Sequence, residues 1–191
     1  MIFVIYNFKG GEGKSKIAQN LALTMNYSII TNDVFTPIEN ILPDNRILKI
    51  YPTQDFPKVS KNDDIIFDLG GYPDKRVVEI LTIAKYILVP ITNEEDNIQV
   101  GVNAIDAIMH YNNNIIVIAN KTEKEDFQCI KNDLEKLYNY PIFNIKKSTA
   151  LSKLSLRKKS IQDVVKTNHL LGYSYKKIQQ QFVDLITFIS K

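Results

Sequence analysis

With 191 residues, 45% hydrophobic and 24% charged, the chain has the balance of an ordinary globular protein of one to two domains, which excludes a mainly disordered reading. No apolar run approaches the roughly 18–20 residues of a bilayer span, and the apolar start Met1-Ile2-Phe3-Val4-Ile5-Tyr6 lacks a basic leader region, so a membrane-integral or secreted protein is excluded and a cytoplasmic one expected. The net charge of +3 is unevenly spread: residues 144–177 carry nine basic side chains against Asp163 alone, which puts +8 there and −5 on the remainder.

Short β-rich runs alternate with helix-length segments from the first residue onward. A strand is expected over 2–7, then a glycine loop and a helix over 15–25. Strands over 28–32, 47–51 and 64–68 follow, and a helix over 75–84 leads to a strand over 86–91. The next helix, 97–110, carries Ile98, Val102, Ile105 and Met109 at helical spacing. A strand over 115–120, a helix over 126–138 and a strand over 142–145 come next. Two helices close the pattern, 149–159 and 174–190, the last with Tyr175, Ile178, Phe182, Leu185 or Ile186, and Ile189 on one face. Several strands are continuous apolar runs, as strands covered on both faces are, and alternating strand and helix implies a parallel sheet with right-handed crossovers. No repeat or linker interrupts the series, so one α/β domain over 1–191 is expected. The one cysteine, Cys129, allows no internal disulfide and is read as a bystander on a helix.

The run Lys9-Gly10-Gly11-Glu12-Gly13-Lys14-Ser15 lies between the first strand and the first helix. Glycines let backbone N–H groups turn inward around phosphate oxygens, and the helix start adds its positive dipole end. Gly10, Gly11, Glu12 and Gly13, with Lys14, Ser15 and Lys16 at the helix start, are therefore the candidate nucleotide-binding residues. Lys14 would neutralise the β- and γ-phosphates and Ser15 would ligate Mg²⁺.

The general P-loop pattern has a glycine five residues before Gly13, where this chain has Phe8 and then a second lysine, Lys9. In this the sequence resembles the deviant Walker A family of ParA and MinD, whose signature KGGxGK[ST] is matched by Lys9 through Ser15. The resemblance implies a mostly parallel α/β ATPase of P-loop type that uses ATP and Mg²⁺. It also implies a sandwich homodimer in which Lys9 reaches the phosphates of the partner subunit. By the same resemblance Asp33, in Thr31-Asn32-Asp33, would position the attacking water, although Thr31 stands where the family has an Asp; the alternative for Asp33 is a turn residue. The run Asp64-Ile65-Ile66-Phe67-Asp68-Leu69-Gly70-Gly71 resembles the Walker B region, with Asp68 in the Mg²⁺ sphere and the Gly70 N–H near the γ-phosphate. Lys16 replaces a commoner Thr, and Leu69-Gly70-Gly71 a commoner proline-containing sequence. Weak turnover is expected.

Asn120-Lys121-Thr122-Glu123 is close to the N-K-x-D guanine motif, but with the longer Glu, and Asn120 is a candidate base contact for either purine. The resemblance favours ATP. Lys146, Lys147, Lys153, Arg157, Lys158 and Lys159 form a candidate DNA-binding segment that would meet phosphates without reading bases, the alternative being a solvated lysine-rich surface. The resemblance implies a short ParA-type partition ATPase acting with a ParB-type centromere-binding protein. With the first strand expected from residue 2, neither a helix-turn-helix ahead of it nor stable membrane association is expected. A MinD-like membrane-cycling regulator and a small P-loop GTPase or metabolic enzyme stay open as alternatives.

Overall fold

The run Ile2–Asn7 (β1) is buried at all six positions, which requires cover on both of its faces. The structure, a computed structural model, describes residues 1–71, 73 and 75–191 and supplies that cover. A seven-stranded sheet, parallel at every pairing, has the order β3-β2-β4-β1-β5-β6-β7. Its strands are β1, β2 (Ser28–Thr31), β3 (Ile47–Lys49), β4 (Ile65–Gly70), β5 (Tyr86–Ile91), β6 (Ile115–Thr122) and β7 (Ile142–Lys146). The mostly parallel α/β class expected from the sequence is the observed one.

Alternation along β1 sends side chains to two separate cores. Phe3 and Ile5 pack under α1 (Lys14–Met25) and the C-terminal helices, together with Ile17, Leu21, Ile178, Phe182 and Leu185. Ile2, Val4 and Tyr6 face α2 (Lys75–Ile83), α3 (Glu95–Met109) and α4 (Asp126–Glu135), among Val77, Leu81, Ile105 and Ile130. Each fully buried Ile, Leu or Phe side chain contributes about 1.5–3 kcal/mol, so the two-sided arrangement is why the strands read as unbroken apolar runs.

β1 has β4 on one side and β5 on the other, so the chain's path across the sheet divides there. In open parallel sheets such a switch point, at the carboxyl ends of the strands, is where a ligand crevice forms.

The C-terminal third departs from the expected helices. The segment read as one helix over 149–159 is two single turns, α5 (Thr149–Ser152) and α6 (Leu154–Arg157), broken at Lys153 and ended by Lys158 in the left-handed region at φ 50°. A further helix, α7 (Ile161–Thr167), was not expected. Ser160 caps it, accepting from the Asp163 N–H and donating to Asp163 Oδ2. The last helix, α8 (His169–Ile189), starts five residues earlier than expected because Asn168 caps it by accepting from the Leu171 N–H. Gly172 inside α8 obscures that start in the sequence.

Candidate nucleotide site

The loop after β1 is held open by its backbone and by struts from three strands. Gly11 and Gly13 have φ of 87° and 86°, where a side chain is strained, and a Cβ on Gly13 would also collide with the Asn120 amide. Asn7, fully buried at the end of β1, donates to the Pro90 carbonyl of β5 at 2.8 Å and accepts the Lys9 N–H at 3.0 Å, fixing where the loop begins. Asn120 Nδ2 donates to the Glu12 carbonyl at 2.7 Å. Lys121 sits at φ 54° where β6 slips register against β7, and this bulge aims its ammonium at the Gly11 carbonyl, 2.6 Å away. Glu12 is buried, and its carboxylate accepts the Thr92 N–H at 2.9 Å.

These contacts frame a cleft of about 510 Å³ lined by the glycine loop, Lys14, Ser15, Lys16, Asn32, Asp33, Asp68 and Lys121. The Lys14 ammonium donates to the Lys9 carbonyl at 2.8 Å and lies beside Gly70, where a Cβ would sit 3.6 Å from Nζ. Burial lowers its pKa, and Asp68, Glu12 and Asp33 pull it back up. Asp68 is 2% exposed and meets the Ser15 hydroxyl. Burial raises its pKa to about 6, against the opposing pull of Ser15 and Lys14. Its Oδ2 is buried with no hydrogen-bond partner. A hydroxyl and an unmatched carboxylate oxygen beside the glycine loop are the hard oxygen donors that Mg²⁺ takes, so the residues present fit that ion.

Asp33 lines the cleft and also caps its own turn, its Oδ1 accepting the Phe35 N–H at 3.2 Å. Thr31 substitutes structurally for the expected acid: its hydroxyl donates to the Asp68 carbonyl and accepts the Asp33 N–H, tying β2 to β4 beneath the cleft. Asn32 clasps Gly70 at both backbone groups, donating to its carbonyl at 2.9 Å and accepting its N–H at 3.1 Å. The Gly70 N–H expected at the γ-phosphate is thus taken by Asn32 in this conformation.

Other expected residues are placed differently from their sequence reading. Asn120, expected at the base, is 1% exposed and lies under the loop, because it is the last inward-facing residue of β6 before the bulge. Lys9 does not enter its own cleft; its ammonium bonds to Asn97 Oδ1 on α3, and Asn97 in turn donates to Thr92 at 2.5 Å and to Glu94 at 2.9 Å. Lys16 lines the cleft with its ammonium on Gln19 and Ser155. In the basic segment Lys153, Lys158 and Lys159 are exposed, while the Arg157 guanidinium stacks 5.1 Å over the Tyr175 ring. Lys147 is paired with Glu123 at 2.5 Å, and Lys146 is half-buried. Sequence reasoning missed Asn7, Asn97 and the supporting roles of Thr31 and Asn32. Only Asn97 stood near a visible signal, as the first residue of the expected third helix.

No protein-family model matches the chain, and no curated protein matches it. Solved structures do. Apo McdA from Cyanothece superposes with a TM-score of 0.69 at 12% identity, covering 95% of this chain and 96% of that one. A ParA family ATPase from Chlorobium tepidum gives 0.62 at 16% identity, covering 94% and 98%. The cell division ATPase MinD from Pyrococcus furiosus gives 0.61 at 13% identity, covering 96% and 98%. A McdA variant has been solved as an ATP complex. With TM-scores above 0.6 over nearly the whole of both chains, the chain, with its all-parallel seven-stranded sheet, has the fold of the ParA/MinD-type deviant Walker P-loop ATPases.

Proposed function

We propose that the chain is a ParA-type partition ATPase that binds MgATP, closes into a sandwich homodimer and, as a dimer, holds DNA without sequence preference. The observation that carries the reading is the division of two lysines across one loop. Lys14 points into the cleft beside Asp68 and Ser15, while the Lys9 ammonium leaves it for α3. A cation directed out of its own site would serve phosphate if a second subunit brought its nucleotide there.

In this reading the glycine-loop amides and the α1 N-terminus receive the phosphates, and Lys14 neutralises their charge. Ser15 and ionised Asp68 would hold Mg²⁺, which would supply positive charge to the phosphoryl oxygens. Asp33 orients water at the mouth of the cleft, and Lys9 of the partner subunit adds positive charge where it develops during cleavage. ATP is taken over GTP from the resemblance of the Lys9–Ser15 loop, and the Glu123 carboxylate, the counterpart of the guanine-reading acid, is paired with Lys147 at the surface. The exposed Lys153, Lys158 and Lys159 supply phosphate contacts, and pairing two weak patches in one particle raises residence on DNA by avidity. A ParB-type partner would stimulate hydrolysis.

Retention of duplex DNA on a filter, measured with ATP, ADP, GTP or no nucleotide in Mg²⁺, tests this, with anionic vesicles as a parallel arm. Retention with ATP, similar for unrelated DNA sequences, is expected. ATP-dependent capture by vesicles and none by DNA would replace this reading with a membrane-cycling one. Nucleotide binding without either would leave a small P-loop enzyme.

A further inference from the structure

One face of α1 is bonded to the basic C-terminal segment at three successive turns. Lys16 Nζ donates to Ser155 Oγ at 3.0 Å, Asn20 Oδ1 accepts the Ile161 N–H at 2.8 Å, and Thr24 Oγ1 donates to Gln162 Oε1 at 2.9 Å. The spacing of four residues is what aligns these side chains on a helix. The two lower bonds anchor α7. The upper one reaches α6, which has Lys153 at its N-cap and Arg157 at its last position.

Lys16 differs from the other two because it also lines the nucleotide cleft. Its ammonium is partly buried and meets only neutral acceptors, Ser155 and Gln19; among the described residues no carboxylate pairs with it. A half-desolvated cation without a counter-ion is costly, and an anion arriving beside it removes that cost. An ammonium has three N–H donors, and two are engaged here, so one remains for such an anion.

We propose that Lys16 is a nucleotide-contacting residue, its ammonium binding an anionic phosphate oxygen while keeping Ser155, and that this bridge couples the placement of the α6 turn to nucleotide occupancy. The proposal rests on the cleft being a nucleotide site. Through it, nucleotide would orient Lys153 and Arg157 within each subunit, in addition to any effect of pairing subunits.

The test combines titration with a fluorescent MgADP analogue and amide hydrogen exchange over 149–167, on the full chain carrying Lys16→Met, Lys16→Arg or Ser155→Ala. Lys16→Met should bind about tenfold weaker or more, the scale of a lost charge-assisted contact, and Lys16→Arg should recover most of that loss. Ser155→Ala should bind like the parent. In the parent, MgADP should slow exchange at 154–158; both Lys16→Met and Ser155→Ala should lose this slowing, while 161–167 stays unchanged in all. Parental affinity in Lys16→Met, or parental slowing in Ser155→Ala, overturns the proposal. Should Lys16→Met fail to fold, Lys16→Arg with Ser155→Ala decides the matter, since undiminished slowing in the latter is sufficient to overturn the bridge. A parental chain that binds no MgADP overturns the nucleotide reading itself, a distinct result.

Discussion

Asp68 shows how one buried carboxylate links stability to ligand chemistry. Its folded pKa of about 6 lies above the ordinary value of 3.8, so between these the folded chain holds a proton that the unfolded chain has released. Its contribution to stability is therefore fully present below about pH 4 and lost as pH rises through 6, on the order of 3 kcal/mol in all. Asp68→Asn removes the ionised, unpaired oxygen, and the nucleotide-free variant should be more stable than the parent at pH 7 by about 1–3 kcal/mol in urea unfolding, with the difference vanishing near pH 4. Mg²⁺ binding needs the ionised form, so the Mg²⁺-dependent part of nucleotide affinity should weaken below pH 6 in the parent and be absent in the variant. An unstabilised variant with intact Mg²⁺ dependence would contradict both arguments. Asp33 belongs to the same cleft, but only one of its oxygens is engaged by its turn. Asp33→Ala should bind ATP normally and slow its cleavage, so that ATP-dependent dimers persist in sedimentation; parental turnover would leave Asp33 as a turn residue.

At the scale of elements, α7 depends on a local signal and α3 on a distant one. Ser160 is fully buried and serves both the N–H and the carboxylate of Asp163. Ser160→Ala should cost about 1 kcal/mol of stability by urea unfolding, the usual penalty for losing such a cap. The N-terminal turn of α3 is where Asn97 receives Lys9. Lys9→Ala should leave monomeric nucleotide binding nearly unchanged, because its ammonium is outside the cleft, and should abolish ATP-induced dimers in sedimentation. Unchanged dimers would remove the role in trans.

For the molecule as a whole, the basic segment and the cleft at the glycine loop are separate surfaces joined through α1. Replacing Lys153, Arg157 and Lys158 together by Ala should weaken DNA binding alike for unrelated sequences while ATP binding and dimerisation survive. Each lost phosphate contact should flatten the dependence of log K on log salt by about 0.9, so the triple change should lower the slope by up to roughly 3. Arg157, already stacked on Tyr175, should contribute the smallest share. An unaltered slope would leave the segment a solvated surface.

Fold class and the glycine loop between β1 and α1 were legible in the chain alone, because both rest on local rules. Apolar runs of strand length encode burial on two faces, and the glycines of Gly10-Gly11-Glu12-Gly13 between a strand and a helix encode a backbone that no other residue adopts cheaply. The short helices after β7 were legible in part: Ser160 and Asn168 are capping residues, but the periodicity across 149–159 looked like one helix until Lys158 took a left-handed conformation. What the sequence could not disclose is where polar side chains end. Lys9 bonds to Asn97 across 88 positions, Lys16 to Ser155 across 139 and Asn120 to the Glu12 carbonyl across 108. Such pairings are set by strand order and by the β6 bulge, which bring distant segments to one end of the sheet. Sequence therefore determined the fold class and the place of the glycine loop between β1 and α1; only the tertiary structure decided which lysine enters the cleft, which leaves it and which one joins it to the basic surface.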